Sequence, residues 1–288
     1  IDPAQTDDDY PQKLFSPILY TGSGSGDGVP KTNTITGLGF KPDYVNIKER
    51  TNSSAYALFD SSRGNTKLLA GNLTQAEVDQ SSLPALVSFD TDGFKAQYPN
   101  TGNYYVNRGS KTYVAWCQRA NGGTTSSNGN GSITSTVQVD PSGGFSIVKY
   151  TGESATRTVG HGLSVAPNVI IVKALNNTYN WAVFTTTTGA SEVLFLNSGG
   201  ASQTGAGTLW GGSTAPTASV FSVGDGSETG KSVPYIAYCF ANTEGFFKSG
   251  SYEGNGNSDG VFVNTGFSVS WLMIKRANGV ESWFVMDD

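Results

Sequence analysis

Few residues in this chain have the types and spacing that chemistry needs, and each of them also has a plain structural reading. Gly256-Asn-Ser258-Asp-Gly260 matches the Gly-x-Ser-x-Gly pattern of a hydrolase nucleophile. That elbow requires a strand before it, a helix behind it and a histidine as base. No helical pattern follows here. The single histidine, His161, precedes Gly162-Leu163 where an earlier stretch has Thr36 before Gly37-Leu38. A position that accepts Thr predicts a loop side chain rather than a general base or metal ligand.

Asp90-Thr-Asp92-Gly93 opens like a calcium loop, but the position twelve along is Thr101 instead of a bidentate Glu. The expectation is a turn, with Asp90 and Asp92 as calcium candidates only and no metal site assigned. The same two carboxylates lack a second partner at the ~5 to 9 Å that a glycosidase pair needs. The stretch from Gly22 to Lys31-Thr32 has no Gly-Lys-Thr junction and reads as a turn, not a phosphate loop. Tyr104 and Tyr105, in a loop rich in Asn, Thr and Gly, are the best candidates for an aromatic platform under a sugar ring. Trp210 reads as a packing residue of the second repeat. No catalytic residue and no cofactor is assigned.

The elements that would have to position such groups come from a stretch that occurs three times. Its copies read Gly39-Phe-Lys-Pro-Asp-Tyr-Val-Asn-Ile-Lys48, Ser164-Val-Ala-Pro-Asn-Val-Ile-Ile-Val-Lys173 and Gly266-Phe-Ser-Val-Ser-Trp-Leu-Met-Ile-Lys275. Eight residues after each terminal Lys an aromatic opens a second apolar run, at Tyr56, Trp181 and Trp283. Short β-branched and aromatic runs bounded by Gly and Pro predict strands. Alternation places Val45 and Ile47, Ile170 and Val172, and Leu272 and Ile274 on one inward face. On the other face Asn46 becomes Ile171 and then Met273, which predicts a wet outer side in the first copy and a covered one in the later two. One constant interval predicts one shared supersecondary unit.

Composition agrees with many short strands. Charged residues make up 14% of the 288 residues, below the ~25% of ordinary domains, and Gly contributes 37. The formal net charge of −5 provides no basic footprint for nucleic acid. No apolar run approaches ~18 residues, so no membrane partner is expected. Cys117 in Thr112-Tyr-Val-Ala-Trp-Cys117 and Cys239 in Pro234-Tyr-Ile-Ala-Tyr-Cys239 occupy equivalent places and predict two buried free thiols in separate cores, suited to a reducing cytoplasm.

Read in order, residues 1–13 form an acidic extended arm, 14–120 a first β repeat, 121–132 a Gly/Ser/Asn-rich flexible link, 133–242 a second repeat and 243–288 a partial third. Phe15, Phe145 and Phe247 each open a repeat with a Tyr five residues on, and Gly22, Gly24, Asp27, Gly28 and Val29 return as Gly254, Gly256, Asp259, Gly260 and Val261. Within the first repeat, Leu73 to Gln80 with a Thr74/Glu77 capping pair predicts one short helix, and Ala85–Phe89 and Phe94–Gln97 predict strands. The Cys lies 69 and 66 residues beyond the anchor Lys (117 − 48 and 239 − 173), whereas only 13 residues follow Lys275. A unit so shortened exposes edges, and the expectation is that the natural polypeptide continues past Asp288. The predicted fold class is all-β, as tandem antiparallel sandwich-like (jelly-roll-like) repeats with the third incomplete.

As an ordered set, Leu19-Tyr-Thr-Gly22, the first anchor stretch, Ala57-Leu-Phe-Asp-Ser-Ser-Arg-Gly64, Tyr113-Val-Ala-Trp-Cys117, Ile133-Thr-Ser-Thr-Val137, Gly144-Phe-Ser-Ile-Val-Lys-Tyr-Thr-Gly152, Val159-Gly-His-Gly-Leu163 and Tyr235-Ile-Ala-Tyr-Cys-Phe-Ala241 resemble a repeat domain of large virion proteins of tailed bacteriophages, notably cyanophages. The third copy departs from the pattern with Val269 in place of Pro. The resemblance implies a non-enzymatic virion protein, assembled in the bacterial cytoplasm, as a tail fibre or host-attachment protein. Capsid decoration and a polysaccharide-binding or depolymerising module are the alternatives. Implied partners are other virion proteins, a host surface glycan and further copies of the chain, since fibres are commonly trimers.

Overall fold

The computed structural model describes residues 11–25, 29–98 and 105–288. Among these there is no α-helix; the fold is all-β, built of several antiparallel sheets. The first copy contributes β1 (Phe15–Thr21), β2 (Lys31–Thr36), β3 (Tyr44–Glu49), β4 (Ala57–Asp60), β5 (Lys67–Leu68), β6 (Val78–Asp79), β7 (Leu86–Asp90), β8 (Gly93–Tyr98) and β9 (Thr112–Gln118). A four-stranded sheet in the order β1-β9-β3-β4 shares its core with a three-stranded sheet, β2-β8-β7. Val45, Ile47, Phe59 and Cys117 from the first meet Ile35, Leu86 and Phe94 from the second.

The second copy contributes β10 (Ser126–Asn128), β11 (Ser135–Asp140), β12 (Phe145–Thr151), β13 (Arg157–Gly160), β14 (Val169–Ala174), β15 (Ala182–Thr185), β16 (Glu192–Phe195), β17 (Gln203–Thr204), β18 (Val220–Val223) and β19 (Pro234–Phe240). Eight of these make one sheet, β10-β11-β12-β19-β14-β15-β16-β17, with β13-β18 as a separate pair. The third copy supplies β20 (Trp271–Ile274) and β21 (Phe284–Asp287), which pair only with each other.

Strand registers repeat residue for residue. Ile47 faces Ala57, Val172 faces Ala182 and Ile274 faces Phe284, so the eight-residue interval builds the same hairpin three times. Ser16 and Val45 flank Cys117 as Ser146 and Ile170 flank Cys239. Tyr20 stacks on Tyr113 at 5.0 Å, and Tyr150 on Tyr235 at 5.2 Å. Both cysteines are free and buried, one in each core. Register in a sheet follows from which face is apolar, so equal patterns select equal pairings.

Four expectations need correction. No helix forms over Leu73 to Gln80; the stretch runs through turns into β6, because backbone groups of Leu73, Thr74 and Glu77 bond to the second copy instead. The stretch 121–132 is no loose link: a single 3₁₀ turn at Asn121–Gly123 leads into β10, which pairs with β11 and edges the large sheet. Small polar side chains do not prevent pairing, since the ladder uses backbone groups. Asn46, Ile171 and Met273 are all half-buried, so the outer side of the anchor strand is not open in the first copy. Conversely, Leu272 on the inward face of β20 is 39% exposed whereas Val45 is 0%, because among the described residues no strand besides β21 pairs with β20. Of the expected arm, residues 1–10 lie outside the described residues and Pro11–Lys13 form one 3₁₀ turn; Asp27 and Gly28 of the shared loop also lie outside.

Candidate functional site

The residues singled out by type are mostly committed to holding turns. Asp92, at the β7–β8 turn, accepts backbone N–H bonds from Gly39 at 2.6 Å and Gly37 at 3.1 Å through its two carboxylate oxygens. Both glycines have left-handed φ, 75° and 102°, so the carboxylate fixes a loop that needs them. Asp90 accepts from Ser88 Oγ at 2.7 Å and pairs with Lys95 at 3.3 Å. Among the described residues no group of three or more His, Cys, Asp or Glu is placed to hold a metal ion. Tyr104 lies outside the described residues. The Arg108 guanidinium covers one face of the Tyr105 ring, 3.6 Å from its centre, leaving that face unavailable for stacking.

His161 lies in a loop after β13, as expected, and its side chain is fully buried there. Its Nδ1 accepts from the Leu163 N–H at 3.1 Å, which leaves the proton on Nε2 to be donated to the Thr217 carbonyl at 3.1 Å. Burial lowers its pKa, so the ring is a neutral brace. Ser258 sits in an exposed stretch without strand or helix on either side. Trp210 is buried against Phe184, as a packing residue.

What gathers buried polar groups is the seam between the first and second copies; spacing had marked Lys173, Trp181 and Glu77, but not as members of a seam. Asp60, at the end of β4, receives Arg63 Nε at 2.5 Å and, from the second copy, the Tyr238 hydroxyl at 2.7 Å. Arg63 also donates to Glu77 at 2.9 Å and to the Lys67 carbonyl at 3.0 Å. The Asp60 and Arg63 side chains are 0% and 1% exposed, so protein groups rather than water compensate the two ions. Beside them Asp43 accepts from Ala120 N, Gly122 N, Ser61 Oγ and, across the seam, Gln138 Nε2 at 2.7 Å. Burial raises the Asp43 pKa, and those four donors oppose the rise.

The second copy returns a set of donors. Lys173 Nζ bonds to Asn177 O at 2.9 Å and Tyr179 O at 2.7 Å in its own loop, and to Thr74 O of the first copy at 3.0 Å. Burial of the ammonium pushes its pKa down to about 8, with Glu228 opposing. Trp181 Nε1 donates to Ala70 O and Leu73 O, and the Glu77 N–H to Leu175 O. Between these bonds lies a cluster of buried apolar side chains from both copies, among them Leu58, Leu69, Phe145, Ile147 and Trp181.

The same seam recurs between the second and third copies. Lys275 Nζ bonds to Gly199 O at 3.2 Å, Trp283 Nε1 to Phe195 O at 3.0 Å, and the Ser202 N–H to Ala277 O at 2.7 Å. Gly199 lies 26 positions after Lys173 as Thr74 does after Lys48 (199 − 173 and 74 − 48); Phe195 and Ala70 match in the same way, as do Ser202 and Glu77. The constant anchor Lys and the aromatic eight residues on were visible in the sequence as one shared unit, which the structure shows to be a hairpin. Their side chains reach out of it to the preceding copy.

One family matches the chain, a domain of unknown function (DUF7483), over residues 10–288. No curated protein and no solved structure matches it.

Proposed function

The chain belongs to the DUF7483 family, and from its residues we propose that it is a non-enzymatic structural protein of a bacteriophage particle, serving as a tail fibre or tail-associated attachment protein. It is built of two sandwich-like copies of one unit and part of a third. The observation that carries the reading is the seam. The chain places its buried ions, Asp60 with Arg63 and Lys173 with three carbonyls, where one copy meets the next. Buried polar networks of this kind specify one relative placement of their partners, which suits a rigid scaffold. The ordered set of motifs shared with virion repeat domains points the same way, and two buried thiols suit folding in a reducing host cytoplasm before assembly.

Partners on this reading are other virion proteins, further copies of the chain and a host surface glycan. Capsid decoration draws on the same scaffold, and the particle decides between the two locations. Gold-labelled antibody or cryo-electron microscopy of phage particles tests the proposal: density on the tail supports attachment, density on the capsid moves the protein to decoration, and absence from particles refutes both. The enzymatic alternative is tested by incubating host surface glycan with the protein. Release of reducing ends that is lost in Asp90→Asn or Asp92→Asn would overturn the non-enzymatic reading.

A further inference from the structure

Contacts between the third copy and the first repeat the seam again, and they close it. Trp271 stands four residues before its anchor Lys, as Tyr44 does. Its ring meets Phe15 at 6.0 Å and 65°, whereas Tyr44 meets Phe145 at 6.1 Å and 82°. Phe15 and Phe145 occupy the same repeat position. Trp116 Nε1 donates to Asp287 Oδ2 at 3.0 Å, as Tyr238 donates to Asp60. Trp116 and Tyr238 each precede the cysteine of their copy by one, and Asp287 and Asp60 each follow the anchor Lys by twelve. The first copy therefore sits on the third as the second sits on the first. A head-to-tail contact that returns to its start after three steps is a ring, not an open filament.

The element that closes this ring hangs on an arm. A two-stranded hairpin is marginal in water by itself, so β20 and β21 owe their order to the surfaces they dock on. Their seat has two halves. On the second copy, Gly199 O accepts from Lys275 Nζ and, at 2.8 Å, from the Glu281 N–H, while Phe195 O accepts from Trp283. On the first copy, Phe15 and Trp116 receive Trp271 and Asp287. The arm between seat and body is bonded to neither. The Ser249 N–H reaches back to Asn242 Oδ1 at 2.8 Å. Beyond it, the hydrogen bonds of residues 250–269 run only to near neighbours in the chain, such as Asn255 Nδ2 to Asp259 O and the Gly266 N–H to Asn264 Oδ1. Residues 251–264 are exposed throughout. The 21 residues from Gly250 to Ser270 (270 − 249) extend to about 70 Å, more than the roughly 45 Å across a globule as long as the first two copies. Such an arm lets the hairpin reach a seat on another chain.

We propose that hairpin and seat are an exchangeable interface: two copies of this chain associate by each docking its third hairpin, residues 271–287, on the Phe15, Trp116, Phe195 and Gly199 seat of the other. The exchanged contacts are those of the closed single chain, so the dimer needs no second complementary surface. The arm holds a chain's own hairpin near its own seat at high effective concentration, which makes the closed single chain the dilute form and the exchanged dimer the crowded one. Gly199 shows how closely the seat is fitted. A Cβ there would stand 3.4 Å from Glu281 O and 3.6 Å from the Ser282 nitrogen, so a larger side chain at 199 pushes against the hairpin and against nothing in its own copy. The inference concerns how chains join and holds wherever the protein acts.

The test is complementation between two variants of the chain. One carries Trp271→Ala, Trp283→Ala and Asp287→Ala, which spoil the hairpin and leave the seat intact. The other carries Trp116→Phe and Gly199→Val, which spoil the seat and leave the hairpin intact. Each alone is expected to sediment at the mass of one chain, and their equimolar mixture at twice that mass. A mixture that stays at the mass of one chain, while both variants still unfold cooperatively in urea, would overturn the proposal. Association of either variant alone would overturn it too, because the contact would then lie on another face. The parent chain supplies a second measurement that does not depend on the seat variant. Refolded from urea at millimolar instead of micromolar concentration, it is expected to raise its dimer fraction by about tenfold or more, and the hairpin variant is not. An unchanged dimer fraction, or an equal rise in the hairpin variant, would refute the exchange.

Discussion

Tyr238 donates its hydroxyl hydrogen bond to Asp60 across 2.7 Å, and this bond joins two copies of one unit at a carboxylate that is wholly removed from water. Asp60 also neutralises Arg63, so the seam depends on it twice. Asp60→Ala is expected to destabilise the chain by roughly 3–5 kcal/mol, since it strands a buried guanidinium. Tyr238→Phe removes only the hydrogen bond to a charged group and is expected to cost about 1.5–3 kcal/mol. Urea denaturation of both variants checks the order; equal, small losses would place the pair outside the stabilising core.

Lys173 makes the seam sensitive to alkali in an unusual direction. Its folded pKa of about 8 lies below the ordinary value of 10.5. Between these values the unfolded chain holds the proton and the folded one does not, so raising the pH stabilises the fold, and below about pH 8 that relief is absent. Relative to Lys173→Met, the parent chain is expected to gain stability as pH rises from 8 to 10. Denaturation of the pair at each pH isolates the lysine from other groups; a flat difference contradicts it.

His161 predicts a change at the acid side. Burial places its folded pKa below the unfolded 6.5, so its stabilisation is present above about 6.5 and is lost as pH falls through that value toward the folded pKa. It is the single histidine, so His161→Thr should remove the part of the melting-temperature decline between pH 7 and 5 that belongs to a histidine. A parallel decline in both chains would contradict a neutral buried ring.

The cysteines give a kinetic readout of the two cores. Burial pushes the Cys239 thiol up to about 12 and Cys117 higher still. Only thiolate attacks a disulfide reagent, so both are expected to stay unreactive in the native protein and to label at the rate of unfolding. Fast labelling of either without denaturant would show that its core opens locally.

The strands and the one shared unit were legible because alternation and a fixed interval recur; the pairings Ile47–Ala57, Val172–Ala182 and Ile274–Phe284 came from the structure. The seam was not legible. Thr74 and Glu77 look like a capping pair for a helix, yet the Thr74 carbonyl receives Lys173 and Glu77 serves Arg63 and Leu175. The partners of the second copy, Lys173 and Leu175, some 100 residues away, outweighed a local propensity of a few tenths of a kcal/mol per residue. Leu272 shows the converse, since its place on the inward face was readable but its exposure depends on a strand elsewhere. Asp90 and Asp92 drew notice as ligands because a carboxylate that braces glycine amides and one that binds calcium look alike in sequence. The Tyr105 platform was likewise readable as an aromatic loop, but not the Arg108 guanidinium lying on it.

The central claim is that three copies meet through one repeated seam that closes between the third and the first. A double-mutant cycle on Trp116→Phe and Asp287→Ala, read by urea denaturation, measures that closure directly. The ring predicts a coupling of about 0.5–1 kcal/mol or more, because each single change already breaks the shared bond. Strictly additive single effects would mean that the third copy does not bear on the first, and the closed arrangement would be wrong.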